Sequence, residues 1–139
     1  MPGSKEKVRS ARHIRTFLLG LTMALFCCAV TSLAMEEDDV QRLVGRWLRP
    51  DGGYVLELRD FKKDGTLKAA YFNPRPINVS RAELQRKEGK ITLLVELRDV
   101  NYPGSTYNLR YDPESDRLKG TYFQAVQRET YDVEFVRAK

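Results

Sequence analysis

Ile91-Thr92-Leu93-Leu94-Val95-Glu96-Leu97-Arg98 places an apolar side chain at every second position: Ile91, Leu93, Val95 and Leu97. Successive side chains of a strand point to opposite faces, so a period of two marks a half-buried β-strand. A helix would space its apolar residues three and four apart. The same period runs outward in both directions. Before it, Tyr54, Leu56 and Leu58 alternate with Val55, Glu57 and Arg59, and Leu67, Ala69 and Tyr71 with Lys68, Ala70 and Phe72. After it come Tyr107, Leu109 and Tyr111, then Leu118, Gly120 and Tyr122, then Tyr131, Val133 and Phe135, each set at alternate positions. Gly45–Arg49 and Ile77–Arg86 bring the count to eight strands. Within the latter, Ile77 and Val79 share one parity and Ala82 and Leu84 the other, which a bulge near Ser80-Arg81 reconciles.

The separators carry turn chemistry: Pro50-Asp51-Gly52-Gly53, Asp64-Gly65, Asn73-Pro74-Arg75-Pro76, Glu88-Gly89, Tyr102-Pro103-Gly104-Ser105 and Pro113-Glu114-Ser115-Asp116. All are short, so consecutive strands pair antiparallel, and no stretch offers the crossover helix a parallel sheet needs. The prediction is an all-β, eight-stranded antiparallel up-and-down barrel. A short helical turn opens it, from Glu36-Glu37-Asp38-Asp39 through Leu43. An outer-membrane barrel is excluded, because the outward parity would set Glu57, Arg59, Glu96, Arg98, Asp132 and Glu134 into lipid. The run Leu67–Asn73 also matches Leu118–Gln124, a repetition that one hairpin pattern suited to a small barrel explains.

Residues 1–34 differ in kind. Five of the chain's 24 basic residues lie there with one of its 19 acids, followed by an uncharged stretch from Thr16 to Met35 that ends in Ser32-Leu33-Ala34. A basic start, an apolar middle and small residues at the end make a secretory signal peptide, with cleavage between Ala34 and Met35. The alternative is an uncleaved membrane anchor, since the uncharged run is long enough to span. Lipidation at Cys28 would want small residues before it, and Leu25-Phe26-Cys27 stand there instead. The domain expected is therefore residues 35–139, exported to the periplasm or beyond, with no membrane attachment after cleavage.

Those 105 residues hold 19 basic and 18 acidic side chains, so the basic isoelectric point belongs to the leader and gives no ground for nucleic acid binding. They contain no Cys and no His, because Cys27, Cys28 and His13 all precede them. Disulfides, thiol nucleophiles, Ser-His dyads and ordinary zinc sites are thereby excluded from the domain, and no cofactor is expected. Carboxylate or Tyr/Lys chemistry is what remains for an enzyme, and no pair of carboxyls stands apart from the charge alternation of strand outer faces.

Gly45-Arg46-Trp47 on the first strand, with Phe135-Val136-Arg137 on the last, resembles the calycin superfamily of lipocalins and avidins. In that superfamily a Gly-x-Trp opens the barrel, and a terminal Arg or Lys packs across the Trp to close one end. The resemblance implies that Gly45, Trp47 and Arg137 form this structural signature. The chain is also similar to an uncharacterised, lipocalin-like group of short exported bacterial proteins, through Arg49–Tyr54, Tyr71–Pro74 and Glu96–Ser105. Trp47 is the only tryptophan, so the tryptophans that line an avidin biotin pocket are missing and biotin is not implied.

Connections in a meander alternate between the two ends of the barrel. Lys62–Gly65, Lys87–Lys90 and Pro113–Asp116 at one end are plain polar turns. Arg49–Gly53, Asn73–Pro76, Asp99–Ser105 and Gln124–Glu129 at the other are richer in aromatics, amides, Pro and Arg. Loops on a rigid scaffold are where barrels place binding groups. Arg49, Arg75, Arg98 and Arg128 map near that end and suit a carboxylate or phosphate, or equally a solvated rim of ion pairs. Tyr54, Tyr71, Tyr107, Tyr111, Tyr122 and Tyr131, on the inward parity, either line a cavity or fill the barrel. Asn73 and Gln124 stand at equivalent points of the two repeats and either supply amides to a ligand or cap strand ends. The candidate mouth and lining is thus Arg49, Tyr54, Tyr71, Asn73, Arg75, Arg98, Tyr102, Tyr107, Tyr122 and Gln124. The functional expectation is an exported barrel for a small molecule, with an anionic ligand as one candidate. A filled barrel that binds an envelope protein or polysaccharide, or inhibits a partner, is the alternative.

Overall fold

The alternating residues form nine antiparallel strands in one sheet that curls into a nearly closed barrel. The computed structural model describes residues 37–139, so the expected leader and its Ala34–Met35 cleavage site lie outside the described residues. A short helix over residues 37–43 precedes β1 (Gly45–Arg49), β2 (Tyr54–Arg59), β3 (Lys68–Asn73) and β4 (Arg75–Ile77). Then follow β5 (Val79–Lys87), β6 (Lys90–Asp99), β7 (Tyr102–Asp112), β8 (Arg117–Gln124) and β9 (Glu129–Arg137). The sheet order is β4-β3-β2-β1-β9-β8-β7-β6-β5, and β1 pairs with β9 through Trp47 opposite Arg137 and Leu48 opposite Val136. Among the described residues no helix is long and apolar enough to cross a membrane.

Nine strands replace the expected eight because the fourth divides at Asn78. β4 stays with β3, while β5 pairs with β6. Asn78 is drawn to the end of β6: its backbone N–H and side-chain amide donate to the Asp99 carboxylate at 2.9 and 2.8 Å, and its carbonyl accepts from the Arg98 N–H at 2.8 Å. The register of β5 also slips between Val79 and Arg81, the bulge that the change of parity required. The seam between β3 and β5 is held by a bridge between Thr66 and Glu83. Backbone bonds from Leu84 to Gly65 (2.7 Å) and from Leu67 to Ala82 (3.4 Å) complete it.

The inward parity forms the core. Trp47, Leu56, Leu58, Val95, Leu97, Tyr107, Leu109, Leu118 and Phe135 are fully buried, and Leu43 at the end of the helix joins them. Each such side chain contributes roughly 1.5–3 kcal/mol on leaving water. Where Gly120 on β8 faces Leu109 on β7, a side chain has no room: a Cβ on Gly120 would lie 2.0 Å from the Asn108 carbonyl oxygen. At the end of the barrel beside the helix, the Arg137 guanidinium lies 3.9 Å from the Trp47 ring centre and bonds the Arg42 and Val44 carbonyls at 2.7 and 3.1 Å. Asp116, from the β7–β8 turn, pairs with the same guanidinium at 2.8 Å, and the Trp47 indole N–H donates to the Leu43 carbonyl at 3.0 Å. Gly45 holds a φ of +129° there, a conformation that an L side chain would strain, which accounts for the glycine two residues before the tryptophan.

Candidate functional site

The opposite end carries a cleft of about 350 Å³. It is built where β1, β3, β6 and β8 reach the loops that follow Arg49, Asn73, Asp99 and Gln124. Five tyrosines line it (Tyr54, Tyr71, Tyr102, Tyr122 and Tyr131), with four carboxamides (Asn73, Asn101, Gln124 and Gln127) and Arg49. No aliphatic side chain and no carboxylate is among them.

Arg49, Tyr54, Tyr71, Asn73, Tyr122 and Gln124 arrive by strand parity, while Asn101 and Gln127 come from the loops after β6 and β8. Arg49, two residues beyond Trp47, keeps the inward face at the top of β1, and Tyr54 stands directly across from it on β2. Asn73 holds the same relation to Tyr71 on β3, and Gln124 to Tyr122 on β8. Below them the Tyr107 ring, fully buried, stacks on Tyr122 with centres 4.4 Å apart and meets Phe135 edge-on at 5.4 Å. Tyr107 therefore forms the floor under the cleft, and packed side chains continue from it toward Trp47.

Polar groups link this floor to the wall. The Tyr71 and Tyr107 hydroxyls lie 2.8 Å apart, and Arg49 Nη1 donates to the Tyr107 hydroxyl at 3.2 Å. Arg49 also forks onto Asp51 with bonds of 2.8 Å from both Nε and Nη2, and its guanidinium lies over the Tyr54 ring at 4.7 Å. Burial works against that charge, but the bonds to Asp51 and Tyr107 outweigh it and lift the guanidinium pKa further above its usual value. The Asp51 carboxyl is held below its ordinary range, chiefly by the hydrogen bond from Arg49. Burial pushes the Tyr107 hydroxyl up to about 12, against the opposing pull of Tyr71 and Arg49, and burial likewise raises Tyr71. These phenols stay protonated at neutral pH and serve as hydrogen-bonding groups rather than bases.

Seven of the expected residues line the cleft, and Tyr107 lies beneath it. Arg75 and Arg98 do not join them: both are exposed, and neither borders the cleft. Arg128 is exposed in the β8–β9 loop, so the four arginines do not converge on one anion. Tyr131, on the expected inward parity, is 39% exposed, and its neighbours at the start of β9 from Glu129 to Asp132 are exposed as well. The single proton of its hydroxyl has two acceptors in reach, the Glu129 carboxylate and Gln127 Oε1. Asn101 and Gln127 were missed as lining residues. Both sit in loops already suspected, but no periodicity shows which way a loop amide points. No protein-family model, no curated protein and no solved structure matches the chain, so the geometry of this cleft is the ground on which its function is read.

Proposed function

We propose that the protein is an exported, calycin-like barrel that binds a small molecule in the cleft above Tyr71 and Tyr107. The observation that carries this reading is the lining itself: ring faces and amides converge there in a concave site, at the end where the loops are richest. The volume sits near the lower bound of ordinary small-molecule sites, about 300–1,000 Å³, so the ligand is small. The stacked Trp47 and Arg137 at the far end support the calycin-like description.

The packed interior beneath Tyr107 favours a second reading, a filled barrel whose rim contacts an envelope protein or polysaccharide. Native mass spectrometry of protein purified from its own host separates the two. The binding reading expects a co-purified small mass that Tyr54→Ala removes. Protein free of small mass, with a macromolecule captured through the rim instead, supports the second. Peptide mass analysis of the same material tests export, with Met35 as the expected first residue; an intact residue 1–34 segment would favour the anchor.

A further inference from the structure

We infer that the cleft takes a neutral, puckered, polyhydroxylated ring, a pyranose unit of a saccharide; this rests on the small-molecule reading of the same cleft. Three observations lead there. The first is charge. Arg49 is the sole ionised side chain in the lining, and its fork is already closed on Asp51 while another of its donors is spent on the Tyr107 hydroxyl. An anion entering the cleft would lose its hydration and find no free cation, which is costly. The second is the absence of aliphatic lining, which leaves nothing to favour a hydrocarbon chain over water.

The third is the disposition of rings and amides. Tyr54 and Tyr71 are nearly parallel, 17° apart, but their centres lie 6.3 Å apart, within direct contact range, so no flat heteroaromatic ring fits between them. Tyr102 meets Tyr71 at 71°, giving a curved wall rather than a slot. Such a wall accepts the C–H face of a sugar ring, while hydroxyls around its edge need partners that both donate and accept. Carboxamides do both. Among the described residues, the Asn101 side chain makes no hydrogen bond within the protein. Gln124 uses only Oε1, accepting from the Gln127 N–H at 2.6 Å, and Asn73 uses only Nδ2, donating to the Tyr102 hydroxyl. The amide ends left over match the hydroxyl pairs of one sugar ring in kind.

The test is titration of the ¹⁵N-labelled full chain with four sets of probes. They are neutral sugars (glucose, N-acetylglucosamine and their β1,4-linked disaccharides), anions (inorganic phosphate and citrate), laurate, and adenosine. Saturable shifts from a neutral sugar, centred on Asn101, Tyr54 and Gln124 and little changed by added salt, are expected. Asn101→Ala and Gln124→Ala should each weaken that binding about tenfold. Asn101 lies in an exposed loop, so its variant keeps the fold and remains informative if Gln124→Ala does not. Saturation at the cleft by phosphate, citrate, laurate or adenosine, with none by sugars, overturns the saccharide inference while leaving the small-molecule reading intact. No saturable shift at the cleft from any probe overturns both.

Discussion

Arg137 stands directly opposite Trp47 in the β1–β9 ladder and lays its guanidinium over the indole at 3.9 Å, so one contact closes both the sheet and its end. Trp47→Ala should cost about 3–5 kcal/mol, as for other large buried aromatics. Arg137→Lys keeps the charge but not the planar fork that reaches the Arg42 and Val44 carbonyls and Asp116, and should cost roughly 1–3 kcal/mol. Urea unfolding of both variants measures these values. A loss under ~1 kcal/mol for Trp47→Ala would remove the contact from any structural role.

Gly120→Ala should destabilise by roughly 1–3 kcal/mol or more, because the added methyl meets the backbone oxygen of Asn108 and not a side chain free to move. Thermal unfolding reads the loss directly. Wild-type stability in this variant would mean that β7 and β8 part easily at that point.

At the mouth, the arginines should divide by their surroundings. Arg75→Ala and Arg98→Ala alter exposed side chains and should change stability by no more than ~0.5 kcal/mol. Arg49→Ala strips Asp51 and Tyr107 of a shared partner and uncovers Tyr54. It should lower stability by roughly 1–3 kcal/mol and disturb the cleft. Equal effects from all three would show that the mouth is governed by diffuse charge.

Much of this was legible in the strands. Period two located the strands, their inward faces and the bulge at Ser80, because all three are set by neighbours one and two residues away. The break at Asn78 was not legible, since it depends on Asp99, 21 residues on. Nor was the committed state of Arg49: Asp51 lies two residues away, but the fork between them needs the turn that only the folded β1–β2 hairpin makes. Arg75 and Arg98 were drawn to the site by their nearness to the mouth, but they stand in β4 and β6 with exposed side chains, and nearness to a rim does not set the face a side chain takes.

Alkaline titration should separate the tyrosines. Burial raises the pKa of Tyr71 and Tyr107, so the folded chain holds those protons more tightly than the unfolded chain does. Their contribution to stability is whole below the ordinary tyrosine range near pH 10 and declines above it, that of Tyr107 as pH rises through about 12 and that of Tyr71 at still higher pH. Ultraviolet absorbance should show phenolate from these two appearing only with unfolding, and Tyr107→Phe should remove one late-titrating group. Free titration of all seven near pH 10 would place both rings in water.

Acid should act on the opposite end. The hydrogen bond from Arg137 holds the Asp116 carboxyl below its usual range, so its support for the fold is complete above about pH 4 and fades as pH falls below that. Asp116→Asn should lower stability at pH 7 and flatten the acid limb of the stability profile. An unchanged limb would assign acid sensitivity to other carboxyls.

The bond between Arg137 and the Val44 carbonyl joins residues 93 positions apart. A chain made from its N-terminus onward cannot close this barrel until β9 has been synthesised, and until then Trp47 has no lid and β1 has an open edge. Early-made strands are thus held in waiting. The same delay leaves β1 exposed to pairing with other chains, so the time between making β1 and making β9 is when this protein most needs a chaperone.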